Sequence, residues 1–78
     1  MTENEMRDLL LELNHSRSHP SGVGPRGYVK RMEREAEILH ILADESGSFL
    51  IYAMAKTADI WADSARGVAS ELGVKLNR

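Results

Sequence analysis

The chain has 78 residues, a formal net charge of -2 and no cysteine. This length fits one small domain, and the lack of cysteine excludes disulfide bonds, thiolate metal sites and a thiol nucleophile. The near balance of charge argues against a strongly basic nucleic-acid binder, and no segment has the roughly 18 to 20 apolar residues of a membrane-spanning helix. Because the start "MTENEMRDLL" is acidic rather than signal-like, we expect a cytoplasmic protein.

A first, short helix is predicted over about residues 2–14. Thr2 and Glu5 have the spacing of a capping box, in which both side chains satisfy backbone N–H groups of the first helical turn. The apolar residues that follow recur at steps of three and four, which is the period of an amphipathic helix: Met6, Leu9, Leu10 and Leu13.

A flexible basic loop is predicted over residues 15–25, "HSRSHPSGVGP", because serine, glycine and proline replace the apolar period. Gly22, Gly24 and Gly27 have the spacing G-x-G-x-x-G of a dinucleotide-binding turn, but no strand precedes them. We therefore interpret them as a flexible lead-in to a helix. Arg26 and Lys30 in that helix's first turns leave two alternatives open, an anion-binding helix start or solubilising charges.

Two longer helices are predicted over about residues 26–45 and 49–72, with a short tail at 73–78. Gly47 in "DESGS" can take the left-handed conformation that ends a helix, and Ser46 or Ser48 can cap the next one. So short a break between long helices predicts an antiparallel helical hairpin. Its apolar stripes are Val29, Met32, Ala36, Leu39 and Ala43 on one helix and Leu50, Met54, Ala58, Trp61, Ala65, Val68 and Leu72 on the other.

The last helix is also rich in small residues, which let a neighbouring helix approach closely. Gly67 within it costs about 0.8 to 1 kcal/mol relative to alanine, so it marks a close contact or a weak point. At the helix start, the run Phe49 to Tyr52 covers most of the circumference, and two or three helices cannot bury all of it. We therefore expect the hairpin to form a dimeric helical bundle.

Histidine and aspartate residues are present, but their arrangement does not match a complete metal-binding or catalytic motif. His15 and His19 are four apart, but Pro20 disfavours a helix through them and no third metal ligand is evident. His40 has no partner spacing that suggests a catalytic triad, and Asp59 with Asp63 is typical of a salt-linked surface. We predict no enzyme activity, no metal or other cofactor, and no small-molecule substrate.

The leading hypothesis is a non-enzymatic protein–protein interaction protein, a small regulator, inhibitor or adaptor of cellular or phage origin. It would act as a homodimer and bind another protein. The alternative is a nucleic-acid-binding protein that uses residues 15–34, a segment with no acidic residue before Glu33. The predicted partner-binding or anion-binding residues are Arg17, Arg26, Lys30, Arg31 and Arg34, and the predicted apolar contact residues are Phe49, Leu50, Tyr52, Met54 and Trp61.

Overall fold

The computed structural model describes residues 1–18 and 24–74, and this part of the chain contains three helices and no strand. The helices are α1 (Glu3–Ser18), α2 (Gly24–Ser46) and α3 (Phe49–Glu71). The all-α prediction is confirmed. None of these helices is both long enough and apolar enough to cross a membrane.

The hairpin of α2 and α3 turns at the predicted glycine. Gly47 has φ +65°, and its N–H donates to the Ala43 carbonyl at 2.9 Å. Ser48 then caps α3, because its hydroxyl accepts a hydrogen bond from the Ile51 N–H at 3.3 Å. This turn sends α3 back along α2, so the two helices pack side by side in opposite directions.

α1 packs on its own chain, antiparallel to α2. The Met1 amino group, two residues before α1, lies 3.6 Å from the Glu45 carboxylate near the end of α2, whereas Glu12 meets Arg34 further back along that helix. The apolar stripe of α1 closes the core where all three helices meet. The buried members of this core are Leu13, Ile38, Leu39, Leu42 and Ala55, and Met6, Leu9 and Ile51 pack against them.

α3 packs through a different stripe from the one that the sequence suggested. Its buried residues are Ala55, Ala62 and Ala69, which recur every seven residues. The neighbouring stripe with Trp61 and Val68 lies largely outside the core. The physical reason is that small side chains let two helix backbones approach closely. The alanine stripe of α3 allows α2 to approach more closely than the stripe of large residues would.

Two predicted boundaries need correction. The loop expected at residues 15–25 is helical at both ends, since α1 continues to Ser18 and α2 begins at Gly24. The last turn of α1 has no apolar period, but Arg17 in it donates a hydrogen bond to the buried Glu35 of α2, and this contact favours the longer helix. The rest of the predicted loop, residues 19–23, and residues 75–78 of the predicted tail lie outside the described residues.

The glycines of the hairpin allow a direct test of the backbone. Gly67 lies within α3 and is exposed, and a Cβ atom added there would meet nothing within 4 Å. We therefore expect Gly67→Ala to raise the free energy of unfolding by about 1 kcal/mol through helix propensity. Gly47→Ala should lower it, because alanine is strained at a positive φ. Urea denaturation followed by circular dichroism measures both, and equal effects of the two substitutions would contradict this description.

Candidate interaction surface

The five apolar residues predicted as a contact surface all lie on α3 and are all exposed. Phe49 is 83% exposed, Leu50 70% and Trp61 60%. They do not form one surface, however. Since a helix has 3.6 residues per turn, Leu50, Met54 and Trp61 share one side, whereas Tyr52 lies on the opposite side and Phe49 between the two. The continuous surface expected from Phe49 to Tyr52 is therefore divided.

The larger surface extends beyond these residues toward the end of α3. Val68 and Leu72 fall on the same side as Trp61 and are also exposed. We call this set the open stripe: Leu50, Met54, Trp61, Val68 and Leu72. It lies about a quarter turn from the alanines that pack against α2, because Met54, Trp61 and Val68 each directly precede a buried alanine and successive residues of a helix are about 100° apart.

No charged side chain lies on the open stripe. Asp59 and Arg66 lie on the α2 side of α3, where Asp59 Oδ2 is 2.8 Å from His40 Nε2 and Arg66 pairs with Glu33. Lys56 and Asp63 lie on the side away from the stripe, and Lys56 is 5.4 Å from the centre of the Tyr52 ring. An apolar surface that runs the length of a helix without a charge is typical of a contact surface.

Two shallow grooves flank Trp61 along the stripe. The larger has a volume of about 660 Å³ and is lined by residues of all three helices, including Arg17, Tyr28, Met32, Met54 and Ala58. The smaller, of about 290 Å³, lies toward the end of α3 and is lined by Pro25, Tyr28, Ala65, Val68 and Leu72 among others. Trp61 and Tyr28 border both grooves. The aromatic ring of Trp61 thus stands between two depressions.

The five predicted basic residues do not act as one positive surface. Arg34 is bound by two carboxylates, with its Nε 2.6 Å from Glu12 and its Nη1 2.9 Å from Glu37. Arg17 Nε is 3.3 Å from the buried Glu35. These two arginines therefore join helices within the chain.

The other three basic residues lie at the start of α2. The guanidinium of Arg31 lies over the Tyr28 ring, 5.2 Å from its centre, as in a cation–π contact. Arg26 and Lys30 are exposed. Among the described residues, neither of them has an ion pair. Of the five predicted basic residues, the three that have no carboxylate partner within the described part of the chain therefore lie in the first two turns of α2.

Among the polar residues that could support catalysis or metal binding, one pair, His40 with Asp59, stands out. The His40–Asp59 pair was not expected from the sequence, since the two residues are distant in the chain, and it joins α2 to α3. Within residues 1–18 and 24–74, no group of three or more His, Asp or Glu side chains is arranged to hold a metal ion. His19, the second member of the four-apart histidine pair, lies outside these residues.

Comparisons with known proteins give no further guide. No family model, no curated protein and no solved structure matches this chain.

The ion pair between α1 and α2 predicts a measurable pKa. The hydrogen bond from Arg34 holds the pKa of the Glu12 carboxyl below its ordinary value of 4.5. Arg34→Gln should let the Glu12 pKa rise toward the ordinary value. Arg7→Gln should not, because Arg7 is an exposed arginine of α1 that has no ion pair with Glu12. A carbon-detected NMR titration of the Glu12 side chain measures the change.

The sign of the linked stability change follows from that pKa. Because folding lowers the Glu12 pKa, the stabilisation by the pair is present above the unfolded-state value and is lost as the pH falls through the folded-state value. The stabilisation is small, since both side chains are largely exposed. An unchanged Glu12 pKa in Arg34→Gln would contradict the pairing.

Proposed function

We propose that this chain is a non-enzymatic protein–protein interaction protein, a small regulator, inhibitor or adaptor that works as a dimeric helical bundle. The observation that carries the proposal is the open stripe of α3, which is apolar, exposed and without charge along its whole length. Single exposed apolar residues are common on proteins, whereas a continuous row of them indicates a binding surface.

The energetics favour burial of this stripe. Full burial of one large apolar side chain contributes about 1.5 to 3 kcal/mol, and tryptophan is among the residues that most often dominate binding energy. Trp61 is 60% exposed and lies at the middle of the stripe. A second helix laid along the stripe would bury Trp61 together with its neighbours, which is the helix-in-groove mode of recognition.

A dimer through α3 leaves the start of α2 available for another protein. Arg26 and Lys30 are exposed there, and the nearby Arg31 lies over the Tyr28 ring. We propose that these three cations contact an acidic segment of the partner. Arg17 and Arg34 are already neutralised by carboxylates. Since only Arg26, Lys30 and Arg31 of the five predicted cations have no carboxylate partner among the described residues, a local acidic segment is a better match than an extended phosphate backbone, whose binding depends on many cation–phosphate contacts.

The two surfaces are tested with separate variants of a tagged protein used to capture proteins from its own cells. Trp61→Glu places a charge on the open stripe, and Arg26→Glu with Lys30→Glu reverses the charge at the start of α2. Each should reduce captured protein by more than about tenfold. Trp61→Glu removes the tryptophan contact that holds the proposed dimer together. A single chain then carries one copy of the basic region instead of two, so binding to the partner is weaker. Quantitative mass spectrometry provides the measurement.

Ile60→Glu is the matched control for the stripe. Ile60 is the neighbour of Trp61, has a similar exposure of 66%, and lies about a quarter turn from the stripe, on the side away from the buried alanines. It should retain the same proteins as the unmodified chain. The proposed function is wrong if all three variants capture the same proteins in equal amount, or if the protein turns over a substrate at a rate that His40→Ala abolishes.

A further inference from the structure

We infer that the occupant of the open stripe is a second copy of this chain, with the two α3 helices antiparallel and a two-fold axis passing beside Trp61. This inference rests on the proposed function, since it specifies how the dimer forms. It places Leu50 of one chain opposite Leu72 of the other, and Met54 opposite Val68.

The open stripe is self-complementary. Leu50 and Leu72 lie eleven residues before and after Trp61, and Met54 and Val68 lie seven residues before and after it. A two-fold interface requires this relation, because residue i must contact residue j while j contacts i. In the antiparallel register about Trp61, every large apolar residue of the stripe therefore meets another large apolar residue.

Small side chains lie on both sides of Trp61 along α3. Thr57 and Ala58 precede it by about one turn, and Ser64 and Ala65 follow it by about one turn. These residues line the two grooves that flank the indole ring. An indole from a second chain would enter such a groove as a knob enters a hole between helices.

In this register α3 itself brings no charge into the contact. The charged residues of α3 nearest to Trp61, Asp59 and Asp63, lie away from the stripe, and Asp59 is bound to His40 of α2. Burial of an unpaired charge costs several kcal/mol, so a contact to which α3 adds no charge is favoured. Arg17 and Glu35, which also line the larger groove, are paired with each other, and Arg31 lies over the Tyr28 ring. A partner of different sequence would have no reason to match the symmetry about Trp61, whereas a second copy matches it automatically.

Disulfide cross-linking tests the register, since the natural chain has no cysteine that would interfere. The double variant Met54→Cys with Val68→Cys places each thiol opposite the other type in the partner chain. On mild oxidation of the full chain, we expect most of it to run as a covalent dimer on a non-reducing gel. Met54 and Val68 are both exposed, so each chain should keep its fold after the substitutions, which circular dichroism will check.

Three controls fix the interpretation. In the single variants Met54→Cys and Val68→Cys, identical positions of the two chains are 14 residues apart along the helix axis, about 21 Å, whereas a disulfide needs Cα atoms within about 7 Å. The single variants should therefore not cross-link efficiently. Tyr52→Cys with Ser70→Cys has the same symmetry about Trp61 on the opposite side of α3, and it should remain uncross-linked as well.

Other outcomes overturn the inference. Efficient cross-linking of either single variant would indicate a parallel or shifted pair, and cross-linking of the control pair would indicate random collision. If the double variant does not cross-link, or loses its helices, the fluorescence of Trp61 in the unmodified chain decides, since it is the only tryptophan. Emission typical of a water-exposed indole at every protein concentration overturns the inference, and shielded emission that becomes exposed on dilution supports it.

This result is separable from the proposed function. A chain that fails to cross-link but still captures a protein in a Trp61-dependent way keeps its interaction function and has a different occupant on the stripe. A chain that cross-links as expected, but captures no other protein, has the inferred dimer without the proposed partner.

Discussion

The close packing of the α3 alanines against α2 is the contact on which the rest of the structure depends. Ala55, Ala62 and Ala69 are buried at steps of seven residues, and their small size lets the two backbones approach. Since one helix has only a limited circumference, this choice leaves the large apolar residues of α3 outside. The open stripe is thus a direct consequence of how the hairpin packs.

α1 completes the core without covering that stripe. Its apolar residues pack where α2 and α3 meet near the hairpin turn, and Leu13 is buried there. Its last turn is joined to α2 through Arg17 and Glu35. The large groove beside Trp61 is bounded on one side by this end of α1. The three helices therefore share a core near the hairpin turn, α2 and α3 continue to pack beyond it through buried residues such as Val29 and Ala69, and an apolar surface is left along α3.

Much of the fold could be predicted from the sequence because local signals determine it. Thr2 accepts a hydrogen bond from the Glu5 N–H, Gly47 has the expected positive φ, and Ser48 caps α3. Each of these features depends on residues a few positions apart. The predicted start of α2 was wrong by two residues, which is typical for helix boundaries.

The candidate site was less predictable, because it depends on tertiary contacts. α3 carries two adjacent stripes with the same period, one of large residues and one mainly of alanine, and periodicity alone does not determine which of them faces α2. The pairing of Arg34 with Glu12 joins residues 22 positions apart, so the neighbouring sequence could not predict that the charge of Arg34 is neutralised. The excess of small residues on α3 was the available signal for the packed side.

The central claim is that the open stripe is buried by self-association. Its most direct test is the solution mass of the unmodified chain, measured by light scattering over a concentration series at physiological salt. The account predicts twice the mass of one chain, falling toward the mass of a single chain on dilution. The mass of a single chain at every concentration would contradict it.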